Sequence, residues 1–349
     1  MPWAKLRSQS RFNLATSGVT HWKLRDLPLT IADLEISGPS FYGFGPLQEA
    51  LAAHAGVTAD RIMAATGTSM ANYLAVASVC KPGDDILIEH PTYELITDVA
   101  LHIGLNVVRF ERRFEDGFAI RVDEVKKALT PRTKLIAVAN LHNPTSALAE
   151  EETIRELGNL GPRVLVDEVY REAAFEDAPK SAAQMGDQFI VTSSLTKVYG
   201  LSGLRCGWIA AEPVLAEKMW RMNDVFGNIP AHMAELASVV ALRELPRIRE
   251  NVRKRLDANR AALWRFLDSR DDLETVRVKY GTIVFPRLKR GSVDALCDLL
   301  RSKYETTVVP GKYFGSPQHF RVGIGGDLEP LEEGLRRLAL ALDEMKEKA

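Results

Sequence analysis

Phe189-Ile190-Val191-Thr192-Ser193-Ser194-Leu195-Thr196-Lys197 is an apolar run that gives way to hydroxyls and then to a lysine, with Gly203, Arg205 and Gly207 close behind. The run has the length and composition of a buried strand. Two similar stretches precede it. Residues 135–139 lead toward Asn143, and Val164-Leu165-Val166 ends in Asp167. Strands that are apolar almost throughout, separated by amphipathic helical stretches, predict an α/β fold: a mostly parallel sheet covered on both faces. In such sheets ligands bind beyond the carboxyl ends of the strands. Three successive strands therefore aim Asn143, Asp167 and Ser194 to Lys197 at one crevice.

Working outward, the pattern predicts helices over 47–55 and 70–79, the second stopped by Lys81-Pro82-Gly83-Asp84. Strands follow at 86–88 and 106–110. Helices are expected over 95–103, closed by Gly104, and over 122–129 and 150–158. Beyond about residue 215 the texture becomes long and helical, 235–268 above all. A strand at 282–285, a helix at 293–304, a strand at 320–324 and a helix from Leu328 complete a smaller α+β unit. The division expected is an N-terminal arm with part of the small domain (1–40), a large seven-stranded-type domain (41–235) and a C-terminal small domain (236–349). Pro28, Gly38 and Pro39 interrupt the first 40 residues, which suits a segment lying on a surface or a partner subunit.

The chain has 349 residues, 46% of them hydrophobic, and a net charge of -1. No basic field points to nucleic acid. Cys80, Cys206 and Cys297 are odd in number and far apart, which fits a reducing cytoplasm rather than a disulfide scaffold. Met1-Pro2-Trp3-Ala4-Lys5 lacks the apolar core of a signal peptide, and no apolar stretch nears the roughly 20 residues that span a bilayer. A cytoplasmic protein without membrane contact is expected. Gly43-Phe44-Gly45 lacks the third glycine of a dinucleotide fingerprint, and no Walker-type loop occurs. The histidines show no metal-ligand spacing, so no metal site is expected.

The polar residues suggest chemistry. A lysine at a strand mouth, with hydroxyls before it and Arg205 after it, suits an imine to a phosphorylated aldehyde, the hydroxyls and guanidinium holding the phosphate. A surface lysine in a polar loop is the plainer alternative. Thr66-Gly67-Thr68-Ser69 precedes a helix whose free N–H groups favour a phosphate, though such helix starts are common. Taken alone, Asp167 can also be read as a helix cap, Asn143-Pro144 as a turn, and Tyr93 as a core aromatic. Arg321 lies on a strand that otherwise reads as buried, and a buried arginine needs an anion, whether a ligand or a structural carboxylate.

The run 194–208 resembles the lysine motif of the class I/II aminotransferases, pyridoxal 5'-phosphate (PLP) enzymes of fold type I. The resemblance extends from about residue 45 to 324, with the motifs in the family's order. It implies that Lys197 carries the cofactor and that Asp167 faces its pyridine nitrogen, keeping the ring protonated. It implies further that Tyr170 and Asn143 contact the phenolic oxygen, and that Tyr93 stacks on the ring. Gly67, Thr68, Ser69, Ser194 and Arg205 form the phosphate cup, and Arg321 clamps the substrate's α-carboxylate. Tyr42 resembles the tyrosine that reaches the neighbouring subunit's phosphate, but sits closer to Gly45 than is usual. Cys206 stands where a small aliphatic residue is usual, a change in packing only. Gly18, or Trp22, is expected to close over the substrate.

The activity implied is ping-pong transfer of an amino group from an L-amino acid to a 2-oxo acid, by a homodimer. Residues 223–232 contain no arginine, although Arg221 is nearby. Phe226, Phe44, Trp22 and Tyr313 are available, which favours an apolar or aromatic donor. A C–S lyase or decarboxylase of the same fold is the alternative. A PLP-sensing regulator is less favoured, because no basic helix-turn-helix pattern precedes residue 40.

Overall fold

The computed structural model describes Trp3, Leu6, residues 8–227 and residues 230–347. After a short strand β1 (Phe12–Asn13), the central sheet is built from β2 (Ile62–Thr66), β3 (Asp85–His90), β4 (Asn106–Glu111), β5 (Thr133–Ala139), β6 (Arg163–Asp167), β7 (Phe189–Ser194) and β8 (Cys206–Ala210). These seven strands lie in the order β2-β8-β7-β6-β5-β3-β4. The run from β4 to β7 is parallel throughout, and β8 is antiparallel to both its neighbours. Leu135 to Val138, Val164 to Val166 and Phe189 to Val191 are buried, as strands covered on both faces must be. The mostly parallel sheet expected from the sequence is present.

β2 and β8 are absent from the pattern reading. Ile62-Met63-Ala64-Ala65-Thr66 and Cys206-Gly207-Trp208-Ile209-Ala210 carry few β-branched residues, so composition alone does not mark them. They pair antiparallel, Ile62 opposite Ala210 through Thr66 opposite Cys206, and β2 forms one edge of the sheet. The other five strands of this sheet lie where the pattern expects them and run one to three residues further at their ends.

The helices are α1 (Gly45–Ala55), α2 (Gly67–Val79), α3 (Glu94–Ile103), α4 (Val122–Ala128), α5 (Glu151–Gly158), α6 (Pro213–Asn223), α7 (His232–Arg243), α8 (Leu245–Asp268), α9 (Val293–Lys303) and α10 (Leu328–Glu347). Gly104 ends α3 in the left-handed region at φ 84°, as its sequence position suggested. The helical stretch 235–268 is divided between α7 and α8. Pro246 lies in the first turn of α8, where its missing N–H costs nothing, and the chain turns at Glu244.

The C-terminal part carries small sheets. β10 (Ile283–Val284), β14 (Phe320–Gly323) and β13 (Val309–Pro310) pair antiparallel, as do β9 (Leu273–Glu274) and β11 (Arg287–Leu288). β12 (Thr306–Thr307) pairs in parallel with β1. Residues 8–29 thus do more than lie on a surface. Leu14, Ala15, Val19, Leu27 and Leu29 are buried. The Gly323 amide donates to the Leu14 carbonyl (2.7 Å) and the Val19 amide to the Lys197 carbonyl (2.9 Å), so this segment ties β14 to the lysine loop. Ile31, Ile36 and Phe41 beyond it are exposed. No helix among the described residues is long and apolar enough to cross a membrane.

Candidate active site

The carboxyl ends of β5, β6 and β7 open into a cavity of about 310 Å³. The N-terminus of α2, residues 15–17 and Arg321 of β14 complete its wall. The strands run parallel, so their ends lie side by side, and this brings Asn143, Asp167 and Lys197 into one place.

Asp167 is buried. Its Oδ2 accepts from the Asn72 side-chain amide (3.0 Å) and its Oδ1 from the Val169 amide (3.1 Å). Desolvation pushes its pKa up, while Asn72, Val169 and the Lys197 charge pull it down. Asn72 is held in turn by the Thr192 hydroxyl, which donates to its Oδ1 at 2.6 Å. Lys197 donates from Nζ to Ser17 Oγ at 3.0 Å. Burial lowers its pKa, and Tyr93 and Asp167 oppose that shift while Arg321 and Arg205 reinforce it.

Arg321 is buried on β14, as its strand position suggested. Nη1 donates to Asn143 Oδ1 (3.0 Å) and Nη2 to the Ala15 carbonyl (3.1 Å). Its Nε has no hydrogen-bond partner, and the guanidinium lies 5.1 Å from the centre of the Phe314 ring. Among the described residues no carboxylate pairs with it.

At the other end of the cavity, Gly67 opens α2 at φ 78°. A side chain there would run into the Arg205 guanidinium, and Gly207 packs directly on the Gly67 backbone. Arg205 Nη2 donates to the Thr66 carbonyl (3.1 Å), which fixes the guanidinium beside the helix start. Thr68, Ser69 and Ser194 line the same region, and the Thr68 hydroxyl is buried without a partner. Tyr93 and Tyr170 line the cavity as well, both with hydroxyl pKa raised by burial.

Other expected positions lie elsewhere. Tyr42 is outside the cavity of its own chain, with its hydroxyl donating to Asp224 Oδ2 at 2.9 Å. Gly18 packs against the Lys197 main chain, and its neighbour Ser17 is the residue that lines the cavity. Trp22 sits under Arg247, Phe44 is edge-on to His232, Phe226 packs on Tyr73, and Tyr313 on Trp3. None of these four aromatics lines the cavity, because the segments bearing them point into other clusters. Residues 228 and 229 of the 223–232 segment, and Met1, Pro2, Ala4 and Lys5, lie outside the described residues. The sequence reading missed Ser17, Asn72 and Thr192. Only the position of Asn72 one turn into the glycine-led helix hinted at any of them.

This sheet, with the lysine after β7, defines the fold type I class of PLP enzymes. A PLP-dependent aminotransferase of known structure from Streptococcus suis superposes with a TM-score of 0.92 over 98% of this chain and 96% of its own, at 24% identity. The chain belongs to the family described as aminotransferase class I and II, whose sequence profile matches residues 36–338. It is similar to the arginine–pyruvate transaminase AruH of Pseudomonas aeruginosa (28% identity; 83% of this chain and 76% of the relative). Aromatic-amino-acid aminotransferase 2 of Thermococcus litoralis is 27% identical, over 87% of this chain and 83% of that one. The protein is thus a PLP-dependent transaminase.

Proposed function

We propose that Lys197 is the amine that carries PLP, and that Asp167 faces the ring nitrogen. In this reading Gly67, Thr68, Ser69, Ser194 and Arg205 hold the phosphate. Tyr93 covers the ring face, and Asn143 and Tyr170 contact the phenolic oxygen. The residues fit the group. The unpartnered Thr68 hydroxyl, the glycine that leaves room for Arg205, and the positive end of α2 suit a phosphate. Arg321, with Nε unpartnered beside Asn143, suits a planar carboxylate.

When bound, PLP supplies an aldehyde for the amine and an electron-withdrawing ring that stabilises a carbanion. The chain's own residues do the rest. Arg321 fixes the amino acid by its carboxylate, so that the α-carbon lies near Lys197. Asp167, ionised against the ring nitrogen, holds a proton there. Lys197 Nζ, its pKa lowered by burial, takes the α-proton as general base and returns it as general acid. Departure of the 2-oxo acid and entry of an acceptor oxo acid then close a ping-pong cycle.

One observation carries this reading: Asp167, Lys197 and Arg321, from three separate strands or strand ends, line one cavity. Borohydride reduction of the PLP-loaded protein, followed by peptide mapping, should place the label on Lys197. Lys197→Ala should take no label and lose turnover by a factor of about 10⁴ or more. A label on another lysine would overturn the assignment.

For the donor we propose an apolar or aromatic L-amino acid. Ala15, Leu95, Ile96, Ala139 and Val169 give the cavity an apolar wall. Its charged lining residues, Asp167, Lys197, Arg205 and Arg321, all have roles already, and among the described residues no further charge remains to pair with a charged side chain. A kcat/KM highest for aspartate would refute this. We further infer a cytoplasmic homodimer divided into 1–40, 41–235 and 236–349. Three buried free cysteines and the exposed apolar residues from Ile31 to Phe41 support that reading.

A further inference from the structure

Ser17 lies between the two parts of the fold that the site joins. Its carbonyl accepts from the Thr282 hydroxyl (2.7 Å). The flanking backbone is fixed by Arg321, which donates to the Ala15 carbonyl, and by the Val19 amide, which donates to the Lys197 carbonyl. The buried Ser17 side chain therefore has little freedom, and its Oγ accepts from Lys197 Nζ at 3.0 Å. The Tyr170 hydroxyl lies near Ser17 as well, without forming a well-aligned hydrogen bond. Around the amine, the facing groups are Tyr93, Asp167, Arg321 and Arg205, and Ser17 is the only one in hydrogen-bond contact with it among the described residues.

We propose that Ser17 is a positioning residue for the transamination proton: its hydroxyl holds the free amine of Lys197 inside the cavity and stabilises its protonated form. The inference rests on the role of Lys197 given above. A lysine side chain has four rotatable bonds, and one released from a covalent partner spreads over many rotamers unless something holds it. Burial and two arginines disfavour the ammonium form. An acceptor fixed by the backbone opposes both effects, and keeps the nitrogen where it must receive and return the proton.

The test uses Ser17→Ala and Ser17→Thr, with two readouts. In the first, cofactor-free protein is treated with an amine-selective acylating reagent over a range of pH, and Lys197 modification is followed by peptide mapping. At a pH where the wild-type amine is mostly protonated, Ser17→Ala should label about tenfold faster, since loss of one charge-assisted hydrogen bond lowers the amine's proton affinity by roughly that factor. Ser17→Thr, which keeps the hydroxyl, should label like wild type. In the second, the loaded Ser17→Ala enzyme should lose about tenfold or more in kcat with KM little changed, and Ser17→Thr should recover most of it. Superimposable labelling profiles for wild type and Ser17→Ala would overturn the proposal, as would a rise in KM with kcat unchanged. If Lys197→Ala itself keeps its turnover, the underlying assignment fails instead, so the two failures are distinguishable.

Discussion

A buried carboxyl that must be ionised to work depends on the groups that hold its charge. Asp167 is pushed toward its neutral form by desolvation, and the Asn72 amide is the largest of the influences that resist this. Removing that amide raises the carboxyl's pKa further, so the ionised form is reached only at higher pH. Asn72→Ala should therefore lower kcat about tenfold near neutrality, through loss of a hydrogen bond to a charged group. The acid limb of the kcat–pH profile should move up. An unmoved limb would mean that Asn72 serves packing alone. Sequence disclosed some of these residues and hid others for one physical reason. Asp167 and Arg321 are costly types at strand positions and Lys197 lies just beyond a strand, and a charge where burial is expected announces a purpose. Asn72 and Ser17 are ordinary residues whose importance lies in contacts across 95 and 180 positions of chain, to Asp167 and Lys197. No local pattern encodes such contacts.

Among the elements, the start of α2 shows how backbone shape and side-chain placement combine. Gly67 adopts a left-handed φ, which glycine takes without strain, and the space over its Cα is occupied by Arg205. Gly67→Ala would add both backbone strain and a collision, displacing the guanidinium from its bond to the Thr66 carbonyl. The protein should fold, and its Kd for PLP should rise roughly ten- to hundredfold, for a cost of about 1–3 kcal/mol. Equilibrium dialysis of the cofactor-free protein measures this directly, and an unchanged Kd would remove the helix start from the phosphate site. Gly67 was legible because a glycine before Thr68 and Ser69 opens a helical pattern. The partner glycine, Gly207, belongs to β8, which the pattern reading missed along with β2. Short strands rich in alanine or glycine carry no period that distinguishes them from loop. Pro246 works in the opposite direction: in the first turn of a helix it leaves the apolar period intact, so the pattern over 235–268 shows helix without showing where α7 ends and α8 begins.

At the scale of the whole molecule, one surface does not suit a chain in isolation. Ile31, Ile36, Phe41 and Val225 are each more than four-fifths exposed. The Tyr42 hydroxyl bonds to Asp224, which brings Phe41 beside the segment containing Val225, and Ile31 and Ile36 precede Phe41 in the same exposed segment. An apolar face of this kind is expected to be covered by another protein surface. A second copy of the chain is the occupant we propose, joined by a two-fold axis that presents the same face twice. Tyr42 would then point across the interface toward the phosphate end of the partner's cavity, which accounts for its absence from its own. Sedimentation velocity at micromolar concentration should show a dimer. Ile36→Asp combined with Phe41→Asp places two charges in the buried face and should give monomers that keep the fold by circular dichroism and lose most of their turnover. Tyr42→Phe tests the reach across the axis separately: the dimer persists and the Kd for PLP rises about tenfold, the loss of one hydrogen bond to a charged group. A fully active monomer would leave the exposed residues without this explanation. A Tyr42→Phe dimer that binds PLP as tightly as wild type would confine that tyrosine to its bond with Asp224.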